Sequence, residues 1–126
     1  MKLHAQRPIS LNTVTAYGPG YIEVNGTRHT GNLIVAASCV QPWNVAGFDQ
    51  LQPGDFDALL QLQPEVVLLG TGARLRFAAP LLMAHLARHR VGLESMDTRA
   101  ACRTYNILLS DGRRVAAAFL LQDGPA

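Results

Sequence analysis

Apolar and polar positions follow two periods along this chain. In the first third they alternate as in strands. "TVTAYGPGYIEV" sets β-forming residues on both sides of Gly18-Pro19-Gly20. "VNGTRHTGNLIVAA" carries Asn25-Gly26 between two extended runs, the strongest short hairpin signal. "GNLIVAA" then reads as a buried strand. A loop follows with Pro42, Trp43 and Gly47. "PGDFDALLQLQP" predicts a short helix, with Asp55 as cap, Phe56, Leu59 and Leu60 as its apolar stripe and Pro64 as its stop.

The second half alternates periods. "EVVLLG" is a continuous apolar run, as expected of a strand covered on both faces. "GTGARLRFAA" is a loop, and Pro80 opens a helix over "PLLMAHLARHR". "VGLESM" is the next strand, which makes a parallel, right-handed βαβ unit. Asp111-Gly112 suits a hairpin turn or a helix end. Ala101, Tyr105, Leu108 and Leu109 form one stripe at helical spacing, which favours a helix from about Thr98 to Ser110 capped by Asp97 or Thr98. "RRVAAAFLL" is the last strand. The order, β-rich and then α-β-α-β-α-β, predicts an α/β fold with a mixed sheet covered by helices.

The chain has 126 residues, enough for one domain (1–126) that buries about two thirds of its unfolded surface without disulfide or metal. Net charge is +2, too little to argue for nucleic acid or a membrane surface. The longest apolar run, "LIVAASCV", is far short of a membrane span, and "MKLHAQRPIS" lacks an apolar signal core. Two separated cysteines, Cys39 and Cys102, suit free thiols in a reducing compartment. These features predict a cytoplasmic protein that does not insert in membranes. The cations are ten arginines and one lysine, a bias that a GC-rich coding sequence also produces.

"YGPGYIEVNG", the lone Trp43, "VVLLGTG" and "ESMDTRAACRTYNILLSDGRRVAAA" together resemble a small uncharacterised family of Mth-type domains. Its eukaryotic relatives include NADH dehydrogenase 1 alpha subcomplex assembly factor 3 and an adipogenesis-associated protein. The resemblance spans nearly the whole chain. It implies a three-layer α/β/α sandwich with a mixed central sheet, no established catalytic residues, and a protein partner in assembly or stability of a larger complex. The family's glutamate before the glycine that ends the last helix is Asp111 here. A mitochondrial role does not carry over, since no transit peptide is evident.

One end of the sheet collects the candidate residues. In open α/β sheets crevices lie beyond the carboxyl ends of the strands. Gly70, Thr71, Gly72 and Arg74 leave one strand there, and Asp97, Thr98, Arg99 and Arg103 leave its neighbour. A glycine turn between strand and helix can cradle phosphate, and Glu94 lies about where a ribose-binding acid would sit. But Leu75 stands where a dinucleotide motif has its third glycine, and the next helix starts late, so no cofactor is expected. Arg99 and Arg103 share a face at the positive end of a helix, where cations are disfavoured, so an internal acid such as Asp97 or Glu94, or an external anion or protein, must offset them.

The remaining candidates have plainer readings. Cys102 beside Arg103 suits either an activated thiol or a small packed residue, and packing is favoured. His85 and His89, four apart, form a surface pair without a third ligand, so no metal is expected. Trp43 lids the core, and Tyr105 and Asn106 support the fold by bonding to nearby backbone. His4 and His29 point to nothing specific. The functional expectation is a non-enzymatic protein-binding or assembly factor. The alternative is an enzyme or small anionic ligand binder in the crevice between loops 70–74 and 97–103.

Overall fold

The computed structural model describes residues 11–122. His4 and the segment read as lacking a signal core lie outside the described residues. Five strands form a mixed sheet in the order β5-β4-β8-β6-β7: β4 (Leu33–Ala36), β5 (Cys39–Pro42), β6 (Val66–Gly70), β7 (Gly92–Met96) and β8 (Val115–Phe119). β6 is parallel to both β7 and β8, while β4 is antiparallel to β8 and β5. β1 (Val14–Gly18), β2 (Tyr21–Val24) and β3 (Thr27–His29) form a separate antiparallel sheet.

Period two in the central strands sorts the core into two layers. Ile34, Val67, Leu69, Ala116 and Ala118 face one side, against Phe56, Leu59, Leu82 and Leu86. These come from a 3-10 turn (Pro53–Phe56), the single turn α1 (Asp57–Leu60) and α2 (Pro80–Ala87). Leu33, Val35, Leu68, Ala117 and Phe119 face the other side, against Ala101, Cys102, Tyr105 and Leu109 of α3 (Thr98–Ser110) and against Val14, Ile22 and Val24 of the small sheet. The result is the expected α/β sandwich, with the N-terminal sheet beside α3 in one outer layer. The steps from β6 to β7 and from β7 to β8 run in opposite directions across the sheet. Their helices lie on opposite faces, as follows when both crossovers have the same hand.

Local chemistry explains the ends of these elements. Asn25 and Gly26 both have positive φ, 52° and 85°, and so form a type I′ turn between β2 and β3. The Asp97 side chain caps α3 by accepting from the Ala100 N–H at 2.9 Å. At the other end Gly112 has φ 79° and donates to the Leu109 carbonyl, while Arg113 N–H donates to that of Leu108. This Schellman arrangement ends the helix at the predicted residue.

Three local readings need correction. The loop expected after β4 contains β5, paired back on β4 through Ala37-Ser38. Helix 53–60 begins as a 3-10 turn, and Asp55 is its third residue rather than its cap. The Asp55 carboxylate accepts from the Gln52 N–H at 2.7 Å. α2 stops at Ala87 with His85 in its last turn, short of Arg88 and Arg90, and Arg90 has φ 62°.

α3 also fixes the N-terminal sheet. Asn106 accepts from the Val14 N–H at 3.0 Å and donates to the Val14 carbonyl at 2.8 Å, filling the place of a neighbouring strand. The buried Tyr105 hydroxyl donates to the Asn12 carbonyl at 2.6 Å. Trp43 is buried against Phe56, with ring centroids 5.5 Å apart, and its indole N–H donates to the Asp55 carbonyl. Cys102 faces the sheet at 1% exposure. Burial pushes its thiol up to about 12 from 9.0, only partly offset by the nearby Arg103 charge.

Two outcomes are expected. Asn106→Ala leaves both polar groups of Val14 without their partner and should lower stability by about 1–3 kcal/mol in urea denaturation. Cys39, which is partly exposed, should react with a thiol reagent before Cys102, whose labelling should wait for unfolding. A raised thiol value means that the folded state holds its proton more tightly. The stability from the neutral thiol is therefore complete below pH 9 and lost as pH rises toward 12, and Cys102→Ala should reduce this dependence, leaving the part due to the buried Tyr105 hydroxyl, which burial also raises.

Candidate functional site

β6, β7 and β8 end together, because Gly70 is in register with both Met96 and Phe119. Beyond β6 the chain turns toward α2, and beyond β7 it turns toward α3 on the opposite face. This is the point in an open sheet where a crevice forms. A cavity of about 800 Å³ lies there, within the range of ligand sites. Thr71 and Leu120 are among the buried residues that line it, and Arg74 and Arg99 are exposed at its border.

Hydrogen bonds join the two loops. Thr98 N–H donates to the Gly72 carbonyl at 2.9 Å, and Gly72 N–H donates to Thr98 Oγ1 at 3.0 Å. Thr71 N–H donates to the Met96 carbonyl. The Thr71 hydroxyl accepts from the Arg76 N–H and lies 2.7 and 3.1 Å from the carbonyls of Arg74 and Met96. The N–H groups that a phosphate would need from Thr71 and Gly72 are thus already engaged. Gly72 has φ 96°, which explains the glycine. Gly70 is explained by packing, since a Cβ there would lie 2.9 Å from the Phe119 ring. Glu94 is exposed in mid-β7 and does not line the crevice.

The structure brings Thr71, Gly72, Arg74, Thr98 and Arg99 to one crevice. Asp97 is used in capping α3, and Gly70 lies beneath Phe119. Arg103 sits one turn further along α3 and donates to the Tyr17 hydroxyl at 3.1 Å. Arg74, Arg99 and Arg103 are exposed, and none forms an ion pair among the described residues. Arg113 contrasts with them. It meets Glu65 at 2.7 Å at the start of β6 and holds that carboxyl below its usual range. His85 bonds to Asp57 at 3.1 Å, which joins α2 to α1, and no cluster of three metal-ligating side chains is found among the described residues.

Sequence reasoning missed the opposite wall, built by the β1–β2 turn from Tyr17 to Gly20 and by Leu120 and Leu121. The Pro19-Gly20 pair announced a turn, but nothing local places that turn against β6. Asn32 was missed as well. Its side chain accepts from the N–H groups of Leu121 and Gln122, both at 2.8 Å, and so fixes the chain as it leaves β8.

Comparison with known proteins agrees with this architecture. An uncharacterized protein of Rhodobacter capsulatus is 39% identical over 113 residues, covering 88% of this chain and 86% of its own. NADH dehydrogenase [ubiquinone] 1 alpha subcomplex assembly factor 3 of Danio rerio is 31% identical over 118 residues, covering 91% of this chain and 68% of its own. A Bordetella pertussis protein solved by NMR and described as a Mth938-like domain superposes with a TM-score of 0.80 at 36% identity, covering 98% of this chain and 94% of that one. Residues 14–120 match the family described as protein of unknown function DUF498/DUF598, and the chain belongs to that family.

Proposed function

We propose that this chain is a single domain that acts by binding a protein partner, in the assembly or stability of a larger complex, through the crevice end of its sheet. The observation that carries this reading is the set Arg74, Arg99 and Arg103, exposed around an open crevice without a carboxylate partner among the described residues. Arginine presents a rigid fork of donors suited to a partner's carboxylates. The assembly-factor name of the Danio rerio relative supports a protein as partner. Cys102, the thiol beside Arg103, is buried and its pKa is raised by that burial, which favours binding over catalysis. We place the protein in the cytoplasm, a reading supported by two free thiols and by the lack, among the described residues, of any helix long and apolar enough to cross a membrane.

The second reading is a small anionic ligand in the same crevice, favoured by the volume of about 800 Å³. Both readings use the same arginines, and they differ in what covers them.

Arg99→Ala should leave stability unchanged or raise it by up to about 1 kcal/mol, through relief of dipole and like-charge repulsion, and Arg103→Ala, which also gives up an exposed hydrogen bond to Tyr17, should stay within about 1 kcal/mol of the wild type. Arg74→Glu with Arg99→Glu should fold normally and lose cross-linked partners that the wild type retains in its own cells. A stability loss of several kcal/mol in either alanine variant would show that these arginines are scaffold. Titration calorimetry with NAD and with ATP should give no saturable heat, because the Thr71 and Gly72 amides are engaged. A micromolar site would instead promote the small-ligand reading.

A further inference from the structure

The segment between the crevice and α2 has an unusual distribution of apolar side chains. Residues 75–78 alternate out and in, as an extended chain does. Arg76 turns inward, where its guanidinium donates to the Thr71 carbonyl at 3.0 Å and stands 4.5 Å over the Phe48 ring. Ala78 also turns inward, buried and with its N–H donating to Ser95 Oγ at 3.1 Å. The side chains between them must therefore face water. Leu75 is 45% exposed and Phe77 is 77% exposed. One turn later α2 buries Leu82 and Leu86 and leaves Leu81 63% exposed. Three large apolar side chains thus stand outward within seven residues, on backbone held at both ends.

This presentation is built in. Thr71, Phe48 and Ser95 fix the backbone from three sides, so Leu75 and Phe77 are held out by the same contacts that seat Arg76 and Ala78. Large apolar side chains held out to solvent this close together in the chain suit a docking surface. The segment that carries it has one sign of charge, and the acid that meets it from outside, Asp57, is engaged by His85 at 3.1 Å. Residues 70–90 contain Arg74, Arg76, Arg88 and Arg90 and neither Asp nor Glu. Arg99 lines the same crevice as Arg74, the neighbour of Leu75 in sequence, and the acid beside it, Asp97, is used in capping α3. The first turn of α2 holds no acid and has no side-chain cap, so the positive end of that helix adds to the same field.

We infer that Leu75, Phe77 and Leu81, bordered by Arg74 and Arg99, form the docking ridge for an acidic segment of a partner protein that carries apolar side chains. This rests on the partner-binding reading proposed above. The apolar residues of that segment cover the ridge, and its carboxylates pair with Arg74 and Arg99, the charges for which the described residues supply no counterpart. Charge complementarity selects this occupant over a second copy of the chain, whose corresponding surface carries the same sign.

The test uses the full chain and a synthetic amphipathic peptide with glutamates on its polar face and leucines on its apolar face. Nuclear magnetic resonance titration should give saturable shifts at the amides of Leu75, Phe77, Leu81 and Arg99. The same peptide with lysine for glutamate should give none. Phe77→Ala exposes no new surface and should keep the native spectrum while weakening the peptide about tenfold or more. Arg99→Glu should weaken it with a lower dependence on salt. Equal binding of the lysine peptide would overturn the proposal. So would binding to vesicles of anionic lipid without binding to the peptide, or a concentration-dependent dimer lost in Phe77→Ala. If Arg74→Glu with Arg99→Glu releases cellular partners and Phe77→Ala does not, the ridge is wrong and the crevice reading stands. If neither variant releases them, both fall.

Discussion

Thr71 and Thr98 are buried where the two loops leave the sheet, and the organisation of the site depends on the bonds they make. Two loops leave the sheet side by side and part to opposite faces. Backbone groups at such a point lose their sheet partners and, once buried, must find others. Thr98 exchanges two hydrogen bonds with Gly72, one through its side chain and one through its backbone. Thr71 ties its own loop to Met96 and Arg76. With these groups satisfied, the crevice keeps a fixed floor. The arginines above it take no part in holding that floor together, and they remain open to water.

The same residue type therefore has two roles in one chain. At the start of β6, Arg113 and Glu65 form a short ion pair where two parallel strands begin. At the other end of the sheet, Arg99 and Arg103 sit in the first turns of α3, Arg103 bonded to the Tyr17 hydroxyl and neither to a carboxylate among the described residues. A solvent-exposed ion pair contributes little to stability. Unpaired cations at a helix start contribute less than nothing. Their presence there is understandable as a property held for another molecule.

How much of this was legible in the sequence depends on whether the signal was local. α3 was bounded correctly because both ends carry chemical marks, Asp97 as cap and Gly112 as the residue of positive φ. The apolar runs of β6 and β8 announced strands buried on both faces. β5 was invisible because Ala37-Ser38 lacks the Asn-Gly, Asp-Gly or Gly-Gly signal of a two-residue hairpin. The loops at 70–74 and 97–99 were placed together by a rule about strand ends, and the structure joins them. The far wall of the crevice was out of reach. Tyr17 comes to that wall because α3 holds β1 through Asn106 and Arg103, contacts that span 92 and 86 residues of sequence. The outward Phe77 was hidden for a related reason, since its exposure follows from where Arg76 and Ala78 are anchored.

Those long spans have a consequence during synthesis. β1 is clamped by Asn106, and β4 finds its inner neighbour only in β8. A ribosome that has released the first sixty residues has released an apolar strand without its central partner and a small sheet without the helix it rests on. Such contacts are slow to close, and the exposed edges invite association meanwhile. The first half of the chain must wait for β8, so a chaperone that shields β4 until then would compensate for an order of events written into the topology.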